Sequence, residues 1–498
     1  MPPLLVGAVR SPAGPLCPVY LPSGRRLKRT ESIQTHPETS AIAPNRPERI
    51  TPGSVASRHI RFDGPSVRRT ILEKAEARNC PWTFRRFPVI QRGELCAGAV
   101  VMLLSMASGT GLGADWPRYR ADVARSAAAA QSLRFPLCAA WVYEPAQPPR
   151  PAWPDAAWGE GSRRDRDRIE IDDVPRPVVA HGMVYFGSSA DDTVRALDLA
   201  TGQLRWRFTT GGPVRFAPDV ADGNCYVASD DGFVYCLDAV SGQLIWRFQA
   251  APGHDQLLGN GRMISRWPLR NGVLVDGGTA YVTAGMWPSE GVCVYALDAD
   301  TGRVIWCNDT SDNLYVMQPH HGYALAGVAP QGYLLASGDV LLVPTGRALP
   351  AGYDRATGRL LYLRHAAKGG GVWATIDERD GLFFNGHQGQ REGILAYSLR
   401  DGELVPDAKA GFVADGCVRA GETLVEGKQD LVTAVSDGKE VWRYPVRGRA
   451  RGIAVAGGRL VVATTEGLIY CFRPLQGDAP ERTPGGGAIG GDRITPGG

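Results

Sequence analysis

At 498 residues, with 62 glycines, 37 prolines and only 8% aromatic side chains, the chain exceeds one average domain and is too rich in turn formers for long helices. The formal net charge is +4, yet residues 1–94 hold 16 Lys/Arg against 7 Asp/Glu, leaving 39 basic and 44 acidic residues from Leu95 onward. That mildly acidic remainder excludes a nucleic-acid groove, which needs a basic stripe on the folded domain itself.

Residues 1–83 are rich in Pro, Arg and Ser and show no periodicity. Phe84-Arg85-Arg86 and Arg92, the apolar run 95–106, and Ser108-Gly109-Thr110-Gly111-Leu112-Gly113-Ala114 then follow as the three zones of a secretory signal. A signal belongs at the N-terminus, so the internal position leaves two readings: a start codon placed too far upstream, or a membrane anchor. About a dozen apolar residues fall short of the ~20 that a spanning helix needs, which favours the first. We therefore expect an N-terminal extension over 1–91, a signal-like segment over 92–114, export to the periplasm or the medium, and no integral membrane span in the mature form. Recovery of a secreted chain starting at Met1 would refute the upstream-start reading.

Leu137-Cys138-Ala139-Ala140-Trp141-Val142-Tyr143 reads as an apolar strand with no hairpin partner before it. Five prolines between 145 and 154, then the charge-rich run 161–168, read as linker.

From residue 182 a repeat sets in, and three copies are in register. Val194-Arg195-Ala196-Leu197-Asp198 leads to Thr201-Gly202 and Trp206. Val234-Tyr235-Cys236-Leu237-Asp238 leads to Ser241-Gly242 and Trp246, and Val294-Tyr295-Ala296-Leu297-Asp298 to Thr301-Gly302 and Trp306. Each reads strand, turn, strand, turn, strand, with the Asp-x-x-Thr/Ser-Gly group supplying a turn in which Gly takes φ > 0. The Trp falls on an outer strand, where its ring can wedge against the next unit. Weaker copies follow at Gly358, Gly402 and Gly438.

These units predict an all-β propeller over 115–474. Starts near 178, 215, 272, 331, 371, 413 and 450 give seven blades, with an eighth if 150–177 form strands. The last unit stops at Phe472 without a Trp strand. The strand of Trp141 is expected to pair with it and close the ring, leaving no exposed edge. Residues 475–498 read as a Gly/Pro-rich disordered tail.

The unit 234–246 resembles the pyrroloquinoline-quinone repeat of quinoprotein dehydrogenases and of the lipoprotein of the outer-membrane β-barrel assembly machine. Asp115-Trp116-Pro117-Arg118-Tyr119-Arg120 and Ile264-Ser265-Arg266-Trp267-Pro268-Leu269-Arg270-Asn271-Gly272 resemble an exported subgroup of unassigned role. The resemblance implies a fold rather than a cofactor. Quinone-using members hold Ca²⁺ and cap the quinone with a vicinal Cys-Cys disulfide, and no two cysteines are adjacent in this chain. Ala114-Asp115 at the expected cleavage point offers no lipid-acceptor cysteine. We therefore expect a non-catalytic scaffold that binds a protein, glycan or small molecule at the channel mouth, without nucleic acid. The alternative is a divergent quinone-dependent dehydrogenase using the quinone and Ca²⁺.

Two long steps between the turn glycines mark insertions, where a rigid propeller presents binding loops. Arg262, Ser265, Arg266, Trp267 and Arg270 lie in one, and Trp287, His321, Arg347 and His387 are expected to join them, giving guanidinium forks and aromatic faces for a ligand. The competing reading is that these arginines tie loops to backbone carbonyls and that Trp267 fills the core. Adjacent histidines 320 and 321 point opposite ways on a strand, so no metal centre is expected. A two-residue turn at Asp230-Asp231 would set Cys225 opposite Cys236, close enough for a cross-strand disulfide, against the alternative that Cys236 and Cys471 fill the small-residue slot occupied by Ala196 and Ala296 in the other repeats. No nucleophile-elbow, phosphate-loop or zincin motif occurs.

Overall fold

The computed structural model describes residues 114–153, 170–317, 322–346, 348–364, 373–386, 394–408 and 414–475. All belong to the second of two units of the chain, Met102–Gly498. The signal-like segment up to Gly113, the run 161–168, His320, His321, Arg347, His387 and the tail beyond Leu475 lie outside the described residues.

Sheets account for the described chain. Four are four-stranded antiparallel meanders, over 178–209, 219–249, 273–308 and 335–362, and 374–398 forms a three-stranded one. A seven-stranded sheet joins the next two repeats through Lys439–Ala456, which leaves one repeat and enters the other. Its last strand, Ile469–Pro474, pairs antiparallel with Leu137–Tyr143, Cys471 lying opposite Trp141. This is the pairing the sequence led us to expect, and it lets the final repeat borrow its outer strand from the chain's beginning. The described part of 150–177 contains no strand.

Neighbouring sheets are fastened by one recurring device. The indole of Trp206 donates to Ala239 O at 2.9 Å and its ring lies on the turn of the next unit at Gly242. A Cβ at Gly242 would sit 2.5 Å from that ring, and its φ of +72° is open to glycine at little cost. Trp246 repeats the contact on Ala299 at 3.0 Å, Trp306 on Arg355 at 2.9 Å, and Trp141 on Leu199 at 3.0 Å. Tyr362 does the same through its hydroxyl, 2.8 Å from Leu399 O. The Trp141 contact carries the last repeat onto the first. The apolar clusters follow suit: Val194, Trp206 and Val227 share one between the first two sheets, and Val234, Val282 and Leu297 the next.

One expectation is corrected. The hairpin after Asn224–Ala228 pairs Ala228 with Val234, so it is centred on Asp231 rather than between Asp230 and Asp231. That one-residue slip sends the two thiols to opposite faces, Cys225 into one apolar cluster and Cys236 into another, and both are free. The small-residue role in the core is the one realised.

Candidate functional site

The first strands of the sheets converge on one segment of the chain. Residues 116–127 exchange backbone hydrogen bonds with five of those strands. Trp116 pairs both ways with Val179, Pro117 O accepts from Val220 N, Val123 O from Ala336 N, Ala124 O from Ile376 N and Ala127 O from Arg419 N. Arg120, Ala121, Arg125 and Ala127 all take φ between 57° and 78°. So many left-handed non-glycine residues persist only where the surroundings over-determine them, and here each turn of the segment is pinned. The Arg125 guanidinium, 1% exposed, donates to Leu334 O and Tyr119 O at 2.9 Å. Burial lowers its pKa to about 10, leaving it charged at neutral pH. Tyr119 stacks on Tyr333 with 3.7 Å between centroids.

Beside this segment lies a buried charge cluster. Arg176 forks onto Asp415 with both contacts at 3.1 Å, Arg451 reaches the same carboxylate at 2.5 Å, and the Tyr119 hydroxyl donates to it at 3.0 Å. Arg451 also pairs with Asp173 and Glu170 at 2.7 Å. Burial by itself pushes the Asp415 carboxyl up, but the guanidiniums of Arg176, Arg451 and Arg120 outweigh it and hold the carboxyl well below the usual range. Tyr119, buried beside this anion, is pushed up to about 12. A second cluster joins Arg215 to Asp172 at 2.7 Å and to Asp230 at 2.5 Å, with Arg270 2.9 Å from Asp230. Sequence reading passed over Arg176, Arg215, Asp415 and Arg451. A signal was present: Pro175-Arg176, Pro213-Val214-Arg215 and Pro268-Leu269-Arg270 each place an arginine shortly after a proline and a few residues ahead of a first strand.

The Pro-rich stretch 145–153 meets this second cluster. Arg150 O accepts from Arg215 at 2.7 Å, Ala152 N donates to Asp172 at 2.8 Å, and the Trp153 indole donates to Gln331 at 3.2 Å. Around it the structure gathers six of the residues singled out in the sequence. Arg262 binds Ser189 O and Ala190 O, at 3.0 and 2.9 Å, and the Asp192 carboxylate. Ser265 N donates to Asp230 O at 2.7 Å. Arg266 pairs with Glu290 and lies 5.4 Å over the Trp267 ring, whose indole donates to Glu290 O at 2.5 Å. Trp287 stands edge-on to Trp153 at 5.9 Å. Arg262 is thus engaged by backbone carbonyls and a carboxylate, and Arg266 and Arg270 by carboxylates. Among the described residues no group of three or more His, Cys, Asp or Glu is placed to hold a metal ion.

The two insertions themselves fold as two-stranded ribbons, Gln256–Gly259 with Arg262–Ser265 and Leu314–Met317 with Tyr323–Ala326. Their roots meet at Gly291, beside both Trp267 and Asp312. Register sets Tyr315 opposite Leu325 and Met317 opposite Tyr323, so all four share one face. That face is open, at 68% for Tyr315 and 70% for Leu325, and the Leu258–Met263 pair is exposed on the first ribbon.

Comparison with known proteins agrees with this architecture. A family model described as "Outer membrane protein assembly factor BamB" matches residues 156–284 and 390–479. No match is found among curated proteins. Among solved structures, BamB from Moraxella catarrhalis is 17% identical, covering 59% of this chain and 82% of that one with a TM-score of 0.37. A europium-containing methanol dehydrogenase is 14% identical over 72% of this chain and 98% of that one, TM-score 0.42. The quinohemoprotein alcohol dehydrogenase ADHIIG from Pseudomonas putida HK5 is 14% identical over 76% and 84%, TM-score 0.44. Among the described residues no helix is long and apolar enough to cross a membrane. The repeats in register and the succession of antiparallel sheets make this chain a β-propeller, and over residues 156–284 and 390–479 its sequence is similar to the family of outer membrane protein assembly factor BamB.

Proposed function

We propose that the chain is an exported, non-catalytic scaffold of the bacterial cell envelope, periplasmic or secreted, that docks a partner protein on the ribbons at its channel mouth. The observation that carries this reading is the face formed by Tyr315, Met317, Tyr323 and Leu325 on a ribbon that has no third strand among the described residues. An isolated two-stranded ribbon is marginal in water, and each large apolar side chain left exposed forgoes about 1.5–3 kcal/mol of burial. Clustered exposure of that kind marks a surface completed by a partner.

The segment 116–127 supports the same reading. A quinone with Ca²⁺ on the axis would need the space held by Tyr119, Arg120 and Arg125, and free carboxylates beside it. Asp172, Asp173, Asp230 and Asp415 are each matched to a guanidinium instead.

A photo-crosslinking residue at position 325, in cells of the source species, is expected to give one discrete protein adduct. The same residue at the exposed, distant Lys439 is expected to give none, and Tyr315→Ser is expected to abolish the adduct at 325. Equal adducts from both positions, or none from 325, would overturn the proposal.

A further inference from the structure

A separate cavity of about 530 Å³ lies between the outer strand Leu204–Thr209, the second sheet and the root of the first ribbon, a volume typical of small-ligand sites. Its wall is aromatic, with Phe208 edge-on to Tyr235 at 5.5 Å and Phe233 at 6.2 Å from the same ring. Asp231 is fixed within it. One carboxylate oxygen accepts from Gly211 N at 2.7 Å and from the Tyr235 hydroxyl at 2.6 Å, and the other from Phe233 N at 2.9 Å. The second oxygen retains acceptor capacity.

The donors on the opposite side are unspent. Arg247 is exposed, lies 5.4 Å over the Phe233 ring, and has no carboxylate partner among the described residues. His254 and Gln256 line the rim and are exposed. A guanidinium, an amide and an imidazole therefore share an aromatic-walled cavity with two carboxylates, Asp231 and the exposed Asp255 that lies 3.5 Å from Arg266. A strongly charged ligand would meet at least one group of its own sign, whereas an uncharged polyol satisfies both, because each hydroxyl donates and accepts. The C–H face of a pyranose ring suits the aromatic wall.

We propose that this cavity binds a neutral saccharide, its hydroxyls donating to Asp231 and accepting from Arg247 and Gln256, with its apolar face on Phe208 and Phe233. The site stands without the ribbon docking face, so either can fail alone.

Calorimetric and saturation-transfer NMR titrations of the protein test it. The probes are cellobiose, maltose, mannobiose and diacetylchitobiose, with a uronic-acid disaccharide and a glucosamine disaccharide as charged comparators. At least one neutral disaccharide is expected to bind more tightly than both charged ones. Arg247→Ala and Gln256→Ala, both at exposed side chains that the fold does not need, are expected to weaken it about tenfold or more, with Leu325→Ser neutral. No neutral probe bound at millimolar concentration, tighter binding of a charged one, or binding unchanged by both variants would overturn the proposal.

Discussion

Around Asp415, two guanidiniums and a phenol converge on one carboxylate that is largely shielded from water. Removing its charge leaves Arg176 buried without a carboxylate partner, while Arg451 keeps Asp173 and Glu170, so Asp415→Asn is expected to cost about 3–5 kcal/mol in urea unfolding at pH 7. The sign with pH follows from the depressed carboxyl. Its contribution is fully present above the unfolded-state value, about 3.9 for aspartate, and is lost as pH falls from there toward the lower folded-state value. Wild-type stability should therefore fall more steeply than that of Asp415→Asn below about pH 4; parallel curves would contradict this. The pairing was not legible in the sequence, because Arg176 and Asp415 are 239 residues apart and nothing in the repeat marks the carboxylate. The turn glycines and tryptophans were legible because the same residue types recur at the same offsets, and their contacts recur with them.

The closing strand shows how far an element can be read from pattern. Leu137–Tyr143 was recognisable as an outer strand without a sheet, and the last repeat as a sheet without an outer strand; each lacks what the other has. Trp141→Ala removes the ring resting on Gly202 and the hydrogen bond to Leu199. It is expected to destabilise the fold by about 3–5 kcal/mol, with amide exchange quickening first in Leu137–Tyr143 and Ile469–Pro474. Uniform quickening across all sheets would contradict a seam at this place. The ribbons were visible only as excess length between turn glycines. Their open faces were not, since exposure depends on what lies opposite, and the ligand reading of Arg262, Arg266 and Arg270 gave way to carboxylates that sequence spacing could not locate. The same limit hid the hairpin slip at Asp231, a difference of half a residue in the turn centre that moves Cys236 to the other face.

For the molecule as a whole, the decisive feature is the segment 116–127, whose first residues stood out in the sequence only as a resemblance and whose place in the fold was not marked, because it has neither period nor turn chemistry. It couples five sheets through their first strands and occupies the axis that a propeller otherwise leaves open, so binding is left to the mouth and the flanks. The most direct test is titration of the protein with pyrroloquinoline quinone and Ca²⁺, following the quinone absorbance and dye-linked alcohol oxidation. The expected result is no saturable spectral change and no oxidation at any quinone concentration. A saturable change accompanied by alcohol oxidation would mean that the plug yields to cofactor, and would contradict the scaffold account.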